Sequence, residues 1–344
     1  MNLAADRRAI RSLRVGVVPS SHVLDLTVGA GPMRDTLDKE FESFKAGRQR
    51  PLVVSGEWGT GKSNLLSYLR EYSLQRKIAV AYINLNGRSS AINHPQRFYH
   101  RVMADVRIPG FEGKGILGLL EAMKMPNVQD VVYKWASANT SRSELAQAFY
   151  LYVNGQHQWP LQIILGTDLA WADYAYKKEK AMRRLDDLGV CLRSLGYGGL
   201  MIQFDELETV VQLWNVVSRQ GAYRVLHTLS NLKNIWSVYA TTEKLNQQLA
   251  SDRRFGKIRD LAALEFVEEY QKFPVIKPPM IDDRLGGELL RKVEGLYRRV
   301  YQVPQDTRLQ HVMERWRRMP FRNPRRLIRY AIDHLDQRRP VPRA

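Results

Sequence analysis

A glycine-rich run that includes one lysine and one serine is the part of the sequence best suited to chemistry. The spacing is G-x-x-x-x-G-K-S, and the run consists of Gly56, Glu57, Trp58, Gly59, Thr60, Gly61, Lys62 and Ser63. Glycines let the backbone turn tightly enough for its N–H groups to wrap a polyphosphate. The lysine of this motif reaches the β- and γ-phosphates, and the hydroxyl after it binds Mg²⁺. The run therefore predicts a phosphate-binding loop, with Asn64 as a further contact.

The segments on either side of this loop are those that such a loop needs. Residues 51–55 form a short apolar run typical of a buried strand, and residues 64–71 have leucines at helical spacing. A strand, a glycine loop and a helix N-terminus together place an anion at the positive end of a helix dipole. The alternative is a chance match in a glycine-rich turn, and the flanking strand and helix argue against it.

Two acids follow a second apolar run, residues 200–204. Asp205 is expected at the carboxyl end of this strand, where it would hold Mg²⁺ through water. Glu206 would orient or deprotonate an attacking water molecule. We expect the strand to lie adjacent to the strand of the phosphate loop, and we expect the nearby Glu208 to be solvated.

Two threonines end the next predicted strand, residues 235–240. A polar side chain there can reach between the γ-phosphate and the attacking water. Thr241 is the first choice for this role and Thr242 the second. The alternative is an ordinary helix cap before Glu243, because threonine is a favoured N-cap residue. The sequence leaves both interpretations open.

Two groups of arginines are further candidates. Arg253, Arg254 and Arg259 follow the threonine strand, and in an oligomer one of them, Arg254 in our assignment, could reach the nucleotide of a neighbour and stabilise transition-state charge. The alternative is a basic surface. Arg325 and Arg326 lie near the start of a predicted helix, where they could face the nucleotide.

The charge of the chain predicts a polyanionic partner. The net charge is +18, and residues 282–344 contain 16 Lys or Arg against 8 Asp or Glu. The planar guanidinium group of arginine can donate two parallel hydrogen bonds to a phosphate, so we expect DNA to be bound mainly through its backbone. No run approaches the roughly 20 apolar residues that span a bilayer, which predicts no membrane association. The single cysteine, Cys191, fits a reducing compartment, so we expect a cytoplasmic protein.

Alternating strands and helices predict an α/β fold with a mostly parallel, doubly wound sheet. We expect N-terminal helices in residues 1–48 and a P-loop ATPase core in residues 49–273. The core would contain a helical insertion at about 107–180. Residues 264–270 are predicted as the last strand and 274–279 as a proline-rich linker, followed by an arginine-rich helical lid in residues 280–344.

These residues together resemble an AAA+ ATPase of the initiator (Orc-like) group. Val28 and the helix after it resemble the stretch that flanks adenine in that superfamily. Four segments are similar to the ATP-binding proteins of bacterial BREX-type phage-defence systems: RRAIRSLRVGVVP (7–19), GEWGTGKS (56–63), HPQRFY (94–99) and PPMIDD (278–283). The resemblance implies ATP and Mg²⁺ as cofactors, a homo-oligomer in the form of a ring or filament, and partners among other defence or mobile-element proteins. Thr241 and Thr242 depart from the family pattern, in which glycine or proline is expected.

Two functions from different classes follow. The first is a DNA-associated ATPase that acts as a motor or switch in a defence complex. The second is an ATP-gated DNA-binding adaptor that recruits a partner such as a transposase and hydrolyses little ATP. The intact Glu206 favours the first. A metabolic P-loop kinase would leave the arginine-rich C-terminal helices unexplained.

Overall fold

The computed structural model describes residues 3–48, 50–85, 92–111, 113, 115–171, 173–213, 215–303, 309–319 and 322–338. The chain divides into two compact units, which we name the helical unit and the sheet unit. The helical unit comprises Met1–Thr36, Gly56–Tyr72 and Lys277–Ala344. The sheet unit comprises Leu37–Ser55 and Ser73–Ile276.

A five-stranded parallel sheet forms the centre of the sheet unit. The strands are β1 (Leu52–Ser55), β2 (Ala79–Asn84), β3 (Leu200–Asp205), β4 (Ile235–Thr241) and β5 (Val275–Ile276). Their spatial order is β2-β3-β4-β1-β5, and every pair is parallel. Every residue of β3 and β4 is buried, as expected for parallel strands that are covered on both faces. The predicted mixed α/β fold with a parallel sheet is therefore confirmed.

Side chains on β4 show which elements cover each face of the sheet. Trp236 packs against Phe41 and Phe44, with ring centroids 5.1 and 5.7 Å away. Tyr239 lies on the opposite face, since side chains alternate along a strand, and it contacts Phe266 at 6.2 Å. Burial of the Tyr239 hydroxyl raises its pKa to about 12. Helices therefore cover both faces.

Sixteen α-helices occur in the described part of the chain. The first eight are α1 (Leu3–Arg14), α2 (Val23–Leu26), α3 (Gly31–Lys45), α4 (Lys62–Gln75), α5 (Pro95–Asp105), α6 (Ile116–Ala122), α7 (Pro126–Asn139) and α8 (Glu144–Val153). The others are α9 (Gln158–Leu165), α10 (Tyr174–Ser194), α11 (Val216–Asn231), α12 (Glu243–Arg254), α13 (Leu261–Tyr270), α14 (Asp283–Tyr301), α15 (Leu309–Arg317) and α16 (Pro324–Gln337).

The stretch between β2 and β3 is helical, as predicted, but its helices differ in detail. Helix α10 runs without a break from Tyr174 to Ser194 and so extends past residue 180, where the insertion was expected to end. The Asp173 side chain caps its first turn by accepting from the Tyr176 N–H. Helix α9 was not predicted, because its eight residues are largely apolar and show no clear periodicity.

The predicted last strand, residues 264–270, is wrong, because this segment belongs to helix α13. Its buried residues are Ala263, Phe266, Val267 and Tyr270, which have the three- and four-residue spacing of a helix. The Asp260 side chain also caps the helix by accepting from the Ala263 N–H. The last strand is instead the two-residue β5, which lies in the segment predicted as a linker and pairs with β1.

The helical unit has its own apolar core. Helices α1, α14, α15 and α16 bury one face each around Trp316, which is fully buried. The chain turns sharply after α1 at Gly16, whose φ is +74°. A Cβ atom there would lie 2.3 Å from Arg325 Cγ, so only glycine allows this close approach to α16. The predicted C-terminal helices are confirmed, whereas their role as a lid stays a prediction.

Candidate functional site

The phosphate loop occupies residues 56–63 and leads directly into α4. Lys62 is the first residue of the helix and is 9% exposed. Its Nζ donates to the carbonyl oxygens of Gly56, at 2.7 Å, and Glu57, at 3.1 Å. An ammonium group has three N–H donors, so one remains for a phosphate oxygen. The lysine therefore shapes the loop and keeps a donor for a ligand.

Backbone conformation explains why the loop requires glycine. Gly59 has φ +81° and Gly61 φ +105°, values that residues with a Cβ rarely adopt. The Thr60 hydroxyl donates to the Glu57 carbonyl at 2.8 Å and closes the turn. The loop is otherwise open to solvent, and the Trp58 side chain is 71% exposed. This geometry suits an anion whose oxygens accept from the loop backbone.

Other elements of the helical unit surround this loop. Asn64 Nδ2 donates to Thr27 Oγ1 at 3.3 Å, and Lys292 Nζ donates to the Thr27 carbonyl at 3.1 Å. The segment before α3 is thereby tied both to α4 and to α14. Pro278 lies beside the loop, 3.4 Å from a Cβ atom placed on Gly56. The predicted adenine-flanking residue Val28 is 4% exposed and packs in the apolar core of this unit.

The start of α16 also lies beside the phosphate loop. A Cβ atom placed on Gly59 would be 3.1 Å from Asn323 Nδ2. Asn323 is the N-cap residue of α16. Arg325 and Arg326, the predicted nucleotide contacts of this helix, are both exposed. The structure thus brings the Asn-Pro-Arg-Arg segment close to the loop, while the roles of the two arginines stay predictions.

The predicted acids and threonines lie at the carboxyl ends of the strands of the sheet unit. Ser55, the residue before the loop, pairs in register with Thr241, and Asn84 pairs with Asp205. The expectation that the strand of Asp205 adjoins β1 is wrong, because β4 lies between them. On that side, the immediate neighbour of β1 is thus β4, the strand that ends in threonine.

Asp205 is held firmly in place. Its side chain is 2% exposed, its Oδ2 accepts from the Tyr82 hydroxyl at 2.7 Å, and its Oδ1 accepts from the Glu206 N–H at 3.0 Å. Each carboxylate oxygen keeps a lone pair for a water ligand. Glu206 has φ +59° and ψ +43°, a left-handed conformation that is uncommon for residues other than glycine. Such strained positions cluster at functional sites.

Glu208 departs from the prediction that it is solvated. It is 8% exposed, since the 3-10 turn Leu207–Gln212 buries it, and its Oε2 has no hydrogen-bond partner among the described residues. Tyr270 is likewise buried, at 4% exposed. Burial raises the pKa of Tyr270, and the Glu208 carboxylate raises it further. Two polar side chains are therefore buried in this part of the sheet unit.

The two threonines at the end of β4 differ in their contacts. The Thr241 hydroxyl donates to the Thr242 carbonyl at 3.2 Å. Thr242 is the N-cap residue of α12, yet its side chain makes no capping bond. Its Oγ1 is buried without a partner in the described part of the chain. Thr242 therefore occupies the position of an ordinary helix cap, but its side chain does not form the hydrogen bond that a cap would make.

The arginines in the last turn of α12 and just after it lie on the surface. Arg253, Arg254 and Arg259 are exposed; Arg253 pairs with Glu268 at 3.1 Å, and Arg254 lies over the Phe255 ring at 5.7 Å. A buried carboxylate, Asp252, holds the end of α12 that bears Arg253 and Arg254. Asp252 is 1% exposed and accepts from Arg219, Tyr223 and Gln248, the first through two nitrogen atoms at 3.1 Å.

Two residues of this region were missed in the sequence. Tyr82 lies in an apolar strand, where a tyrosine is ordinary, and only strand pairing reveals its contact with Asp205. Asn323 was predicted only as part of a helix start, and its place beside Gly59 depends on tertiary packing. The Asn-Pro pair before an amphipathic helix was the one available signal of a cap.

The parallel sheet and the glycine loop that follows β1 are consistent with a P-loop NTPase-like fold. The model of the family described as BREX system ATP-binding protein BrxC/D matches residues 3–154 and 172–342. The chain therefore belongs to this family of ATP-binding phage-defence proteins, and the resemblance noted in the sequence is confirmed. No curated protein matches the chain significantly. No helix in the described ranges is long and apolar enough to cross a membrane.

Proposed function

We propose that this protein is an ATPase of the AAA+ initiator type that hydrolyses ATP with Mg²⁺ and acts on DNA in phage defence. The observation that supports it best is the phosphate loop, in which Lys62 is turned inward onto two loop carbonyls and keeps one donor for phosphate. The positive φ angles of Gly59 and Gly61 fit a backbone folded around an anion.

The acids of the sheet unit fit the metal and water chemistry. Mg²⁺ keeps several waters and is held by one or two protein oxygens together with phosphates. The described residues contain no group of three or more His, Cys, Asp or Glu that could hold a metal ion. We assign Ser63 and Asp205 as the protein ligands. When bound, Mg²⁺ neutralises charge that develops on the phosphates.

Glu206 is the proposed general base, and Thr241 positions the attacking water. Glu206→Gln keeps the size of the side chain and removes the base. ATP should still bind, while turnover should fall by about 10²-fold or more. The exposed Glu121 offers a matched control, because Glu121→Gln removes the same charge from α6. Turnover of Glu206→Gln equal to that of the parent chain would contradict the assignment.

DNA binding is proposed for the arginines of α1 and α16. Six of them are exposed and form no ion pair with another described residue: Arg7, Arg8, Arg11, Arg325, Arg326 and Arg329. Gly16, two residues after α1, lies against the side-chain stems of Arg325 and Arg329, so the end of α1 packs against α16. Unpaired arginines on adjacent helices favour contacts with a phosphate backbone.

The salt dependence of duplex binding tests this surface. Replacing Arg325, Arg326 and Arg329 by alanine should weaken binding and reduce the log–log salt slope by about 0.9 for each lost phosphate contact. The control replaces Arg97, Arg101 and Arg142, which are exposed on the sheet unit and carry the same charge. Equal slopes for the two triple variants would argue that charge alone, and not this surface, binds DNA.

Assembly is the third part of the proposal. The apolar side chains of Phe255 and Leu261 are 65% and 71% exposed in the segment that contains Arg254 and Arg259. Exposed apolar residues beside arginine are typical of protein interfaces. We propose that this segment meets a second copy of the chain in a ring or filament and supplies an arginine to its nucleotide, which is worth about 10³-fold in rate or more.

Mixing two inactive variants tests the assembly. Glu206→Gln subunits donate arginine but do not hydrolyse, whereas the triple alanine variant of Arg253, Arg254 and Arg259 keeps its base but donates none. Activity should return in the mixture. If the two variants co-assemble and the mixture stays inactive, the arginines belong to DNA binding or to the fold.

The adaptor function is the second candidate. The buried and unpaired Thr242 Oγ1 at the end of β4 favours it, since the family pattern differs at this position. Such an adaptor would bind ATP and DNA and recruit a partner such as a transposase. Turnover measured with and without duplex DNA separates the two functions. An ATPase stimulated by DNA supports the first, and ATP binding without turnover in either condition supports the second.

A further inference from the structure

Asn323, the N-cap residue of α16, places its polar side chain beside the phosphate loop. Its Nδ2 is 3.1 Å from where a Cβ atom on Gly59 would be. Gly59 is the middle glycine of the loop and has a positive φ, so no side chain fills the space between them. The amide of Asn323 therefore lies close to Gly59, on the side of the loop toward which a side chain at that position would project.

The hydrogen bonds of Asn323 determine which atom faces the loop. Its Oδ1 accepts from the Arg325 N–H at 2.8 Å, which caps α16. The amide nitrogen is left over and has two N–H donors. Among the described residues, no acceptor lies within hydrogen-bond distance of Nδ2. A donor fixed beside a phosphate loop and left without a protein partner is suited to a ligand oxygen.

Packing holds this donor in position before any ligand arrives. The Asn323 carbonyl accepts from the indole Nε1 of Trp316 at 3.1 Å, and Trp316 is fully buried in the core of the helical unit. Pro324 follows at the first position of the helix and restricts the backbone. A donor that is already oriented binds its acceptor at a smaller cost in entropy.

We infer that the Asn323 side-chain amide donates a hydrogen bond to a phosphate oxygen of the nucleotide held by loop 56–63. The inference rests on the proposed ATP site and adds a residue that the loop motif does not contain. The same side chain caps α16, so a phosphate bound by Asn323 also contacts the helix that presents Arg325, Arg326 and Arg329. Asn323 thus joins nucleotide binding to the proposed DNA surface.

Substitution by serine separates this contact from the helix cap. Serine caps helices about as well as asparagine but is too short to reach the loop and has no amide. We expect Asn323→Ser to bind ATP about 10- to 100-fold more weakly, the usual effect of losing a hydrogen bond to a charged group. Its melting temperature without nucleotide should equal that of the parent. Asn323→Asp keeps the cap, removes the donor and faces the phosphates with a negative charge, so it should bind more weakly still.

The matched control is Asn215→Ser. Asn215 caps α11 in the sheet unit through the same kind of bond, to the Ser218 N–H at 2.6 Å. Titration of a fluorescent ATP analogue into each variant should show parent-like affinity for this control. Parent-like affinity of Asn323→Ser would overturn the inference and leave the ATP site intact, provided that Lys62→Ala has lost binding. A lower melting temperature that accounts for the weaker binding would overturn it as well. A parent chain that binds no ATP would instead refute the proposed function.

Discussion

The phosphate loop of the helical unit and the acidic strand ends of the sheet unit differ in how they are held. Asp205 and Thr241 are at most 2% exposed and sit at the ends of strands buried on both faces. The loop is mostly exposed, and the bonds that shape it are those of Lys62 and Thr60 to loop carbonyls. Rigid strand ends suit residues that must orient metal and water, and an open loop suits residues that must wrap a ligand.

This difference predicts a division of labour. Substitutions in the loop should weaken nucleotide binding, whereas substitutions at the strand ends should slow turnover and leave binding almost unchanged. In kinetic terms, the proposed roles of the strand-end residues would have them interact mainly with the transition state. Each prediction below tests one side of this division.

The largest effect on turnover is expected for Asp205→Asn. The amide is a poor Mg²⁺ ligand, and turnover should fall by at least about 10²-fold, with ATP affinity within a few-fold of the parent. The exposed Asp130 provides the control, because Asp130→Asn makes the same change on α7. Steady-state turnover measured across a range of Mg²⁺ concentrations checks the prediction. An equal loss of affinity and turnover would contradict the proposal that strand-end residues support turnover and not nucleotide binding.

A smaller effect is expected for Tyr82→Phe. The substitution removes the hydroxyl that donates to Asp205 Oδ2 at 2.7 Å and keeps the ring. A hydrogen bond to a charged group is worth about 1.5 kcal/mol or more, so turnover should fall about tenfold. The Mg²⁺ concentration needed for half-maximal rate should rise. Tyr176→Phe, at an exposed tyrosine of α10, should change neither quantity. An unchanged Mg²⁺ dependence in Tyr82→Phe would show that the tyrosine does not position the carboxylate.

The smallest effect concerns stability and compares two N-cap residues. The Ser143 side chain accepts from the Ala146 N–H at 3.0 Å, whereas the Thr242 side chain makes no capping bond. Ser143→Ala should therefore lower the free energy of unfolding by about 1 kcal/mol for the lost cap, and by more in total because the Ser143 hydroxyl also donates to Asp187 Oδ2 at 2.6 Å. Thr242→Val should leave it unchanged or raise it slightly, because it removes a buried hydroxyl without a described partner. Denaturant unfolding of both variants checks this, and an equal loss in both would mean that Thr242 does act as a cap.

Sequence patterns predicted the parts of the fold that depend on local physics. As expected, an apolar strand precedes the loop, a helix follows it and Asp205 ends a buried strand. These features were predictable because buried strands are apolar and because tight turns require glycine. The segment 264–270 was misread because its apolar residues fit a strand as well as a helix over so short a length. Only the cap at Asp260 distinguished the two.

Contacts between distant parts of the chain could not be predicted in this way. Strand β4 lies between β1 and β3, which were expected to be neighbours. No single residue of β4 indicates this position. The burial of Glu208 follows from the 3-10 turn after Glu206, whereas a carboxylate in a sequence usually indicates solvent. The approach of Asn323 to Gly59 joins residues more than 260 positions apart, and tertiary packing alone produces it.

The division of labour rests on ATP binding through the phosphate loop, and a comparison of Lys62→Ala with Glu206→Gln tests it most directly. Binding of a fluorescent ATP analogue and steady-state turnover should be measured for both variants and for Lys124→Ala, an exposed lysine of the sheet unit, as the control. We predict that Lys62→Ala loses binding, and that Glu206→Gln binds like the parent but turns over about 10²-fold more slowly. Parent-like binding by Lys62→Ala, or parent-like turnover by Glu206→Gln, would contradict the account.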